Sequence, residues 1–462
     1  MFKRIVVLTI IIPAVLFLSY IPVKAAAPFE DIAAESALLT EADTGTILFE
    51  HNIDQKHPAD ALAKIMTLLL AVTAIENEET RLGDIIEMTE TAWFDINSNS
   101  TTQKIQPGEE MTLVDLMYCA YVGEANEACN LIAEHIDGSV EAFVERMNVY
   151  AVELGCTSTN FTNTHGQYNE NQFTTARDQF LIFREAMGKE LFAEIAGVYR
   201  YTVNGEEEAD DRTFSSSNLL LNANGKYYFR FCTGGMTSAT YEGGYALVSF
   251  AESDGLSLIS VVLGSNVIIL EDESAEMRNL TESRRLFEWG FSEFGWRTVL
   301  ATFEVVGKAP VIHGAGADFV NLRPEAEIRL LLDKDIPDED FIRTVTIYSL
   351  ESGEPLQAPI EADTVLGELT LTRGNDNHGT VNLVANTRIE LHRLEYVKMQ
   401  IAEVLSSSTT RTIIASLSIL LILYIALVIR YNVIRRKRLR RIAEAKKRLI
   451  EERQSSNTSE FD

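Results

Sequence analysis

The sequence predicts an α+β domain, followed by a small all-β domain and one C-terminal transmembrane helix. In the first part of the chain the periodicity is helical at 63–75 and 113–136 and strand-like at 245–250 and 256–263. From about Val299 to Leu391 the pattern changes to short strands separated by Gly, Asp, Asn and Pro. An uncharged apolar run at 412–429 is long enough, as a helix, to cross a bilayer.

Length and composition set the outer bounds. The chain has 462 residues, which is enough for two or more domains with cores of their own. Its 46% hydrophobic and 23% charged residues are ordinary for a globular protein. The net charge is −28, yet both apolar ends are flanked by basic residues.

The N-terminus is typical of a secretory signal peptide, predicted at residues 1–27. It has Lys3 and Arg4, an apolar run at 5–18 and three alanines at 25–27. The alternative is a retained N-terminal anchor, because the apolar run has marginal length for a membrane span. An α+β domain is predicted at 28–294 and a small β domain at 299–390.

The C-terminal part predicts a membrane attachment in three pieces. Residues 391–411 form an amphipathic stalk and a Ser/Thr-rich hinge, and residues 412–429 form a transmembrane helix of about 27 Å. The tail, 430–462, has 11 Lys and Arg against 5 Asp and Glu. By the positive-inside rule the tail is cytoplasmic and the bulk of the chain is extracytoplasmic. Orientation and lipid contact explain the tail, whereas nucleic-acid binding has no aromatic or motif support.

A motif at 59–67, Ala-Asp-Ala-Leu-Ala-Lys-Ile-Met-Thr, carries the functional signal. It resembles the segment Pro-Ala-Ser-Leu-Thr-Lys-Ile-Met-Thr of the D-alanyl-D-alanine carboxypeptidases, the low-molecular-mass penicillin-binding proteins of the serine peptidase type. In that alignment Lys64 is retained, and Ala61 stands where the family has its nucleophilic serine.

Further blocks in the same order extend this resemblance over roughly Ile32 to Asn386. They lie at 37–48, 107–117, 161–166, 258–264 and 358–369. The resemblance implies a penicillin-binding/β-lactamase-like transpeptidase domain followed by the small β domain. It also implies an ancestral reaction in which the terminal D-alanine of a peptidoglycan stem peptide is removed through a serine acyl-enzyme.

The second and third motifs of the family are also altered. Glu124-Ala125-Asn126 matches Ser-x-Asn with a carboxylate in place of the serine and with Asn126 retained. Thr233-Gly234-Gly235 is aligned with Lys-Thr-Gly, and a shift of one residue gives Cys232-Thr233-Gly234 instead. Both registers lack the lysine that, in the family, helps to hold the substrate carboxylate.

Acyl transfer needs an activated hydroxyl, a group that moves its proton, and donors to the developing oxyanion. Ala61 has no lone pair with which to attack a carbonyl. In the family, the first-motif lysine and the second-motif serine lie close together. The resemblance therefore implies that Glu124 approaches Lys64, and we expect an ion pair between them in the former cleft.

Other nucleophiles are poorly supported by the sequence. Ser98 and Ser100 lie in a serine-rich loop of the kind that is usually a solvated turn, and His165 is more typical of a loop contact than of a general base. Cys232 has no neighbouring His or Lys to lower its pKa. The four cysteines have neither metal-ligand nor disulfide spacing, and nothing indicates a metal or an organic cofactor.

The sequence therefore predicts a single-pass, membrane-anchored carboxypeptidase homologue of the bacterial cell wall. The favoured hypothesis is a pseudoenzyme that binds peptidoglycan stem peptides or cell-wall enzymes. The alternative is an active serine-type carboxypeptidase that trims stem peptides with an unusual nucleophile.

Overall fold

The computed structural model describes residues 31–98, 100–205, 211–270, 273 and 275–457. The predicted signal peptide, residues 1–27, lies outside these residues. Two compact units are formed. The first contains the described residues up to Arg297 together with Arg329–Asp338, and the second contains Thr298–Ile328 and the residues from Glu339 onward.

In chain order the strands are β1 (Ser36–Glu41), β2 (Ile47–His51), β3 (His57–Pro58), β4 (Ile85–Glu87), β5 (Glu110–Thr112), β6 (Phe173–Thr174), β7 (Arg200–Val203), β8 (Arg212–Ser215), β9 (Cys232–Thr240), β10 (Gly244–Ser253), β11 (Leu256–Ser265), β12 (Val267–Ile269), β13 (Ala275–Met277), β14 (Phe294–Leu300), β15 (Gly307–Ile312), β16 (Phe319–Pro324), β17 (Ile328–Asp333), β18 (Ile342–Ile347), β19 (Leu356–Gln357), β20 (Val365–Arg373) and β21 (Asp376–Ala385). The helices are α1 (Ala63–Glu76), α2 (Leu113–Tyr121), α3 (Asn126–Asp137), α4 (Val140–Glu153), α5 (Ala176–Met187), α6 (Glu190–Ala196), α7 (Arg278–Glu293), α8 (Tyr348–Ser352), α9 (Arg393–Ser406) and α10 (Ser408–Asn457).

The first unit is built around a five-stranded antiparallel sheet with the order β2-β1-β11-β10-β9. Side chains along β1 alternate between two cores, as a strand period of two requires. Leu38 packs into the core that holds α1 to α6, whereas Ala37 and Leu39 pack into the core that holds α7. The sheet is thus covered by helices on both faces, and β9 is left as one of its edges.

One helical prediction is corrected by the structure. The pattern at 113–136 is not a single helix, because the chain leaves α2 at Tyr121 and enters α3 at Asn126. Glu124 lies in the intervening turn with a φ of +53°, a left-handed conformation that an α-helix does not contain. The helical spacing of apolar residues continues on both sides of this turn, so the periodicity of the sequence predicted one helix.

The second unit holds a six-stranded sheet with the order β18-β20-β21-β16-β15-β19. Its strands pair in antiparallel fashion except for β15 with β19. Fully buried apolar residues from β15, β16, β20 and β21 form its interior, among them Ala309, Leu322, Leu369 and Leu383. The region is mainly β, as the predicted fold class requires, but α8 adds a short helix and Arg329–Asp338 belongs to the first unit.

Two helices follow the β unit. One face of α9 exposes Leu394, Val397, Ile401 and Val404, which is the predicted amphipathic stalk. The apolar run at 412–429 lies inside α10, and Ser408–Glu451 is long and apolar enough to cross a membrane by length and composition. No other helix of the described residues meets both conditions.

Candidate active-site cleft

Ala61 lies in a single-turn 3-10 helix, Asp60–Leu62, that leads directly into α1. Lys64, in the first turn of α1, is 3% exposed, and its Nζ donates to the carbonyl of His165 at 2.5 Å. One turn later the hydroxyl of Thr67 donates to the carbonyl of Thr164, also at 2.5 Å. The loop at 163–166 is therefore fastened to the start of α1 by two buried side chains.

Gly166 ends that loop where only a glycine fits. Its φ is +87°, and a Cβ atom placed on it would lie 1.8 Å from the carbonyl oxygen of Asp60. Its N–H donates to the side-chain oxygen of Asn163 at 2.7 Å. The block at 161–166 that the sequence identified therefore packs directly against the 3-10 helix that contains Ala61.

On the opposite side, Ala61 faces the edge strand β9. Its backbone N–H donates to the hydroxyl of Ser238 at an N···Oγ distance of 3.3 Å. One residue earlier, Oδ2 of Asp60 accepts from the hydroxyl of Thr240 at 2.6 Å. Both contacts join the 3-10 helix to the same stretch of β9, so the cleft at Ala61 is bordered by 237–240.

Glu124 reaches the same strand through a hydroxyl relay. Its carboxylate accepts a hydrogen bond from Ser217, whose oxygen is in turn hydrogen-bonded to the hydroxyl of Thr237. Because Ser217 has one proton and gives it to Glu124, Thr237 is the donor in the second bond. The turn between α2 and α3 is linked to β9 by this chain of side chains.

The expected ion pair between Lys64 and Glu124 is not formed. Within the described part of the chain, the Lys64 ammonium binds the His165 carbonyl and the Glu124 carboxylate binds Ser217. The left-handed turn at Glu124 directs its side chain toward Ser217 and β9 instead. A backbone carbonyl, rather than a carboxylate, therefore compensates the buried ammonium.

The structure also changes the assignment of the third motif. Gly234 packs against Met187 and Ala196, and Gly235 lies beside the Val248 carbonyl and Asn218. Thr233 is exposed and lies about 16 Å along the strand from Ser238, at about 3.3 Å per residue.

Ser238 instead contacts Ala61, and Thr237 reaches Glu124 through Ser217; Met236 precedes both. These contacts favour Met236-Thr237-Ser238 as the match to Lys-Thr-Gly. This segment keeps the threonine, replaces the cation by an apolar side chain that is 2% exposed, and replaces the glycine by a serine.

Asp60 is a buried acid that the sequence analysis missed. It is 3% exposed, and its Oδ1 has no hydrogen-bond partner among the described residues. Burial raises the pKa of this carboxyl, and the nearby Glu242 raises it further, while the Thr240 hydroxyl and Lys64 act in the opposite direction. Its φ of +43° is a sparsely populated conformation, held by the contacts on both sides.

Asn126 and Glu127 are buried at the start of α3, directly after the turn that contains Glu124. Asn126 is 5% exposed and opens α3, with its N–H bonded to the Thr101 carbonyl at 3.0 Å. Glu127 is fully buried, and its Oε1 accepts from the backbone N–H of Gln103 at 2.7 Å. Burial raises the pKa of the Glu127 carboxyl.

None of the alternative nucleophiles is activated in this geometry. Ser98 is exposed, and Ser100 donates to the side chain of Gln167 at 2.6 Å. Burial raises the pKa of the Cys232 thiol, which contacts Ser249 and Gly234. Burial and the adjacent Lys64 lower the pKa of His165 to about 3, so its ring is neutral at physiological pH.

Comparison with known proteins identifies this arrangement. The sequence profile of the D-alanyl-D-alanine carboxypeptidase family matches residues 22–267, more than half of the chain. The chain belongs to the D-alanyl-D-alanine carboxypeptidase family. Members of this family act on peptidoglycan peptides.

Individual members align over most of the chain. The carboxypeptidase DacF of Bacillus subtilis is 27% identical over 344 residues, which is 74% of this chain and 82% of that protein. DacC of Escherichia coli is 30% identical over 273 residues, which is 57% of this chain and 62% of that protein. The crystal structure of penicillin-binding protein 5 from Haemophilus influenzae superposes with a TM-score of 0.58 at 24% identity, covering 79% of this chain and all of that one.

The fold predicted from the sequence is therefore confirmed. It is a penicillin-binding-type α+β domain with a small β domain, a stalk and one C-terminal helix suited to span a membrane. In the alignment predicted from the sequence, Lys64 and Asn126 match the family's first and second motifs, and the contacts of β9 favour Thr237 as the match to the threonine of the third. The sequence analysis missed Ser217, Ser238 and Thr240. Ser217 belongs to no motif, so only its position in the fold reveals it.

Proposed function

We propose that this chain is a membrane-anchored, extracytoplasmic family member that does not hydrolyse peptides and acts as a scaffold for cell-wall enzymes. The observation that carries the proposal is Ala61 at the nucleophile position, with the Ser238 hydroxyl bound to its N–H. A methyl group cannot form an acyl-enzyme. The backbone donor that would stabilise an oxyanion beside this residue already has a partner.

The charge of the cleft favours a scaffold role over binding of the carboxyl end of a stem peptide. A stem peptide ends in a carboxylate, and the family's third-motif cation is replaced here by Met236. The cleft instead contains the carboxyl groups of Asp60 and Glu124, while the ammonium of Lys64 is bound to a carbonyl. A carboxylate entering this cleft would lose its water without gaining a cation, which is unfavourable.

The proposal includes the topology. Residues 1–27 direct export, 412–429 cross the cell membrane once, and the basic tail at 430–462 remains in the cytoplasm. The continuity of α10 through this run and into the basic segment supports a helix that leaves the membrane without a break. The anionic inner leaflet would attract its Arg and Lys side chains. Cysteine scanning with a membrane-impermeant thiol reagent tests the orientation.

The alternative, an active carboxypeptidase, requires a different nucleophile. One observation favours Ser100 over Ser98 and Cys232 as that nucleophile. Ser100 is hydrogen-bonded to Gln167, and Gln167 directly follows the 163–166 loop, whose His165 carbonyl binds Lys64. Among the described residues, the Ser100 hydroxyl nevertheless has no base in contact with it. It donates to the side chain of Gln167 and accepts from the N–H of Asn97.

Release of D-alanine separates the two functions. The full chain in detergent micelles is incubated with a peptide ending in D-alanyl-D-alanine, and free D-alanine is quantified beside the B. subtilis carboxypeptidase DacF. We expect no release above the blank. Release that persists in the wild type and disappears in Ser100→Ala would overturn the proposal in favour of the alternative.

A further inference from the structure

A second concave site lies at the other edge of the first unit's sheet. It is a pocket of about 350 Å³ between the β1–β2 hairpin and α5. In the sheet order, β2 and β9 are separated by three strands, which places the pocket about 19 Å from the cleft edge at about 4.8 Å per strand. The two sites therefore share no residue.

The wall of this pocket is mostly apolar. Leu38 and Ile47 come from the hairpin, and Phe180 and Leu181 come from α5. Its volume is at the lower end of the range for small-molecule sites, which suits a ligand of about the size of a dipeptide. The apolar wall favours short aliphatic groups in the body of that ligand.

Arg184 supplies the polar end. Its guanidinium carbon lies 5.1 Å from the centroid of the Phe180 ring, and it is half-buried. Among the ion pairs of the described residues, which include Arg177 with Asp54 and Lys189 with Glu185, none involves this guanidinium. The second arginine of the pocket, Arg177, is instead neutralised by Asp54, with contacts of 2.6 and 3.0 Å.

The guanidinium of Arg184 lies close to the backbone of the β1–β2 turn. Gly45, in the turn between β1 and β2, has a φ of +72°, and a Cβ atom on it would lie 2.8 Å from Nη1 of Arg184. The cation thus packs over a bare Cα on one side and near an aromatic ring on another. Guanidinium N–H groups lie in one plane and match the two oxygens of a carboxylate.

We propose that this pocket binds a small peptide carboxylate, with the carboxylate on Arg184 and short aliphatic side chains against Leu38, Ile47 and Leu181. The site does not depend on the loss of catalysis in the cleft. One uncompensated cation in a half-buried apolar pocket gives a charge-assisted hydrogen bond where water competes less than at an open surface.

The test is calorimetric titration of the full chain in detergent micelles with N-acetyl-D-alanyl-D-alanine and with its C-terminal amide. We expect the carboxylate to bind at least about 10-fold more tightly than the amide, as charge-assisted hydrogen bonds imply. Arg184→Gln should lower the affinity by about the same factor. The charge-matched control Arg200→Gln, on exposed β7, should leave it unchanged.

A second variant keeps the test conclusive if Arg184→Gln misfolds. Leu181→Trp fills the pocket without changing its charge, and it should also weaken binding. Equal affinity for acid and amide, unchanged binding by both pocket variants, or no saturable binding at millimolar peptide would each overturn the proposal. The L,L-isomer identifies the source of the ligand: preference for the D,D-peptide assigns wall peptides, and equal binding assigns peptide carboxylates in general.

Discussion

The backbone N–H of Ala61 donates to the hydroxyl of Ser238, across the cleft between the 3-10 helix and β9, at 3.3 Å. On the proposed alignment with the family, two substitutions therefore act on one point of the site. The first removes the nucleophile, and the second places a side chain on a donor that an oxyanion would need. Restoring one of them leaves the other in place.

Ala61→Ser alone should not restore acylation by benzylpenicillin. Loss of one oxyanion donor costs about 10²–10³-fold in rate in serine enzymes, and Met236 still leaves the site without its cation. Time-resolved intact mass spectrometry measures the acylation. The double variant Ala61→Ser/Ser238→Gly should acylate about 10²-fold faster than the single one. Rapid labelling of Ala61→Ser alone would show that Ser238 does not obstruct the site.

Asp60→Asn should stabilise the fold at neutral pH. Because burial raises the pKa of Asp60, its contribution to stability is fully present below the ordinary value of 3.8 and is lost as the pH rises through the raised value. Asparagine removes this dependence and tolerates a positive φ. We expect a gain of about 1 kcal/mol at pH 7, or about 2–4 °C in the melting temperature, and almost none near pH 3. A loss of stability at pH 7 would contradict the assignment.

Gly166→Ala should destabilise the first unit by about 3 kcal/mol or more, because the new methyl group would overlap the Asp60 carbonyl. The matched control is Gly138→Ala, at a φ of +78° with no atom within 4 Å of the added Cβ. The control has only the backbone strain, about 1–2 kcal/mol. Thermal unfolding followed by circular dichroism compares the two variants. Equal losses of stability would mean that Gly166 is not in close contact with the 3-10 helix.

The cysteines should not react with iodoacetamide in the folded protein at pH 8. All four are buried, and burial raises the pKa of each thiol, to about 12 for Cys129 and Cys156. The thiolate, which is the reactive form, is then almost absent. Mass spectrometry should show four modifications only after denaturation. Fast modification of Cys232 in the native protein would revive it as a nucleophile.

The elements with long regular patterns could be predicted from the sequence. The helical period at 63–75 became α1, and the strand patterns at 245–250 and 256–263 lie within β10 and β11. The break between α2 and α3 could not be predicted, because it depends on a left-handed residue, Glu124, inside a continuous helical period.

The cleft was only partly predictable for a related reason. Lys64 and Asn126 stand in retained motifs, so local sequence identifies them. The third motif lacks its lysine in every register, so the sequence offered Thr233-Gly234-Gly235, whereas the contacts of the folded chain favour Met236-Thr237-Ser238. The contact of Ser238 with Ala61 is a long-range relationship, since 177 residues separate them. Only the folded chain brings Ser217 to Glu124, since 93 residues separate them.

The intact mass of the full chain after incubation with benzylpenicillin tests the central claim most directly, because acylation reports a working nucleophile. The B. subtilis carboxypeptidase DacF, treated in the same way, serves as the control for the reagent. We expect the mass of this chain to remain unchanged while the relative gains one antibiotic. A stoichiometric gain on this chain, mapped by peptide digestion to a residue of the cleft, would contradict the loss of catalysis.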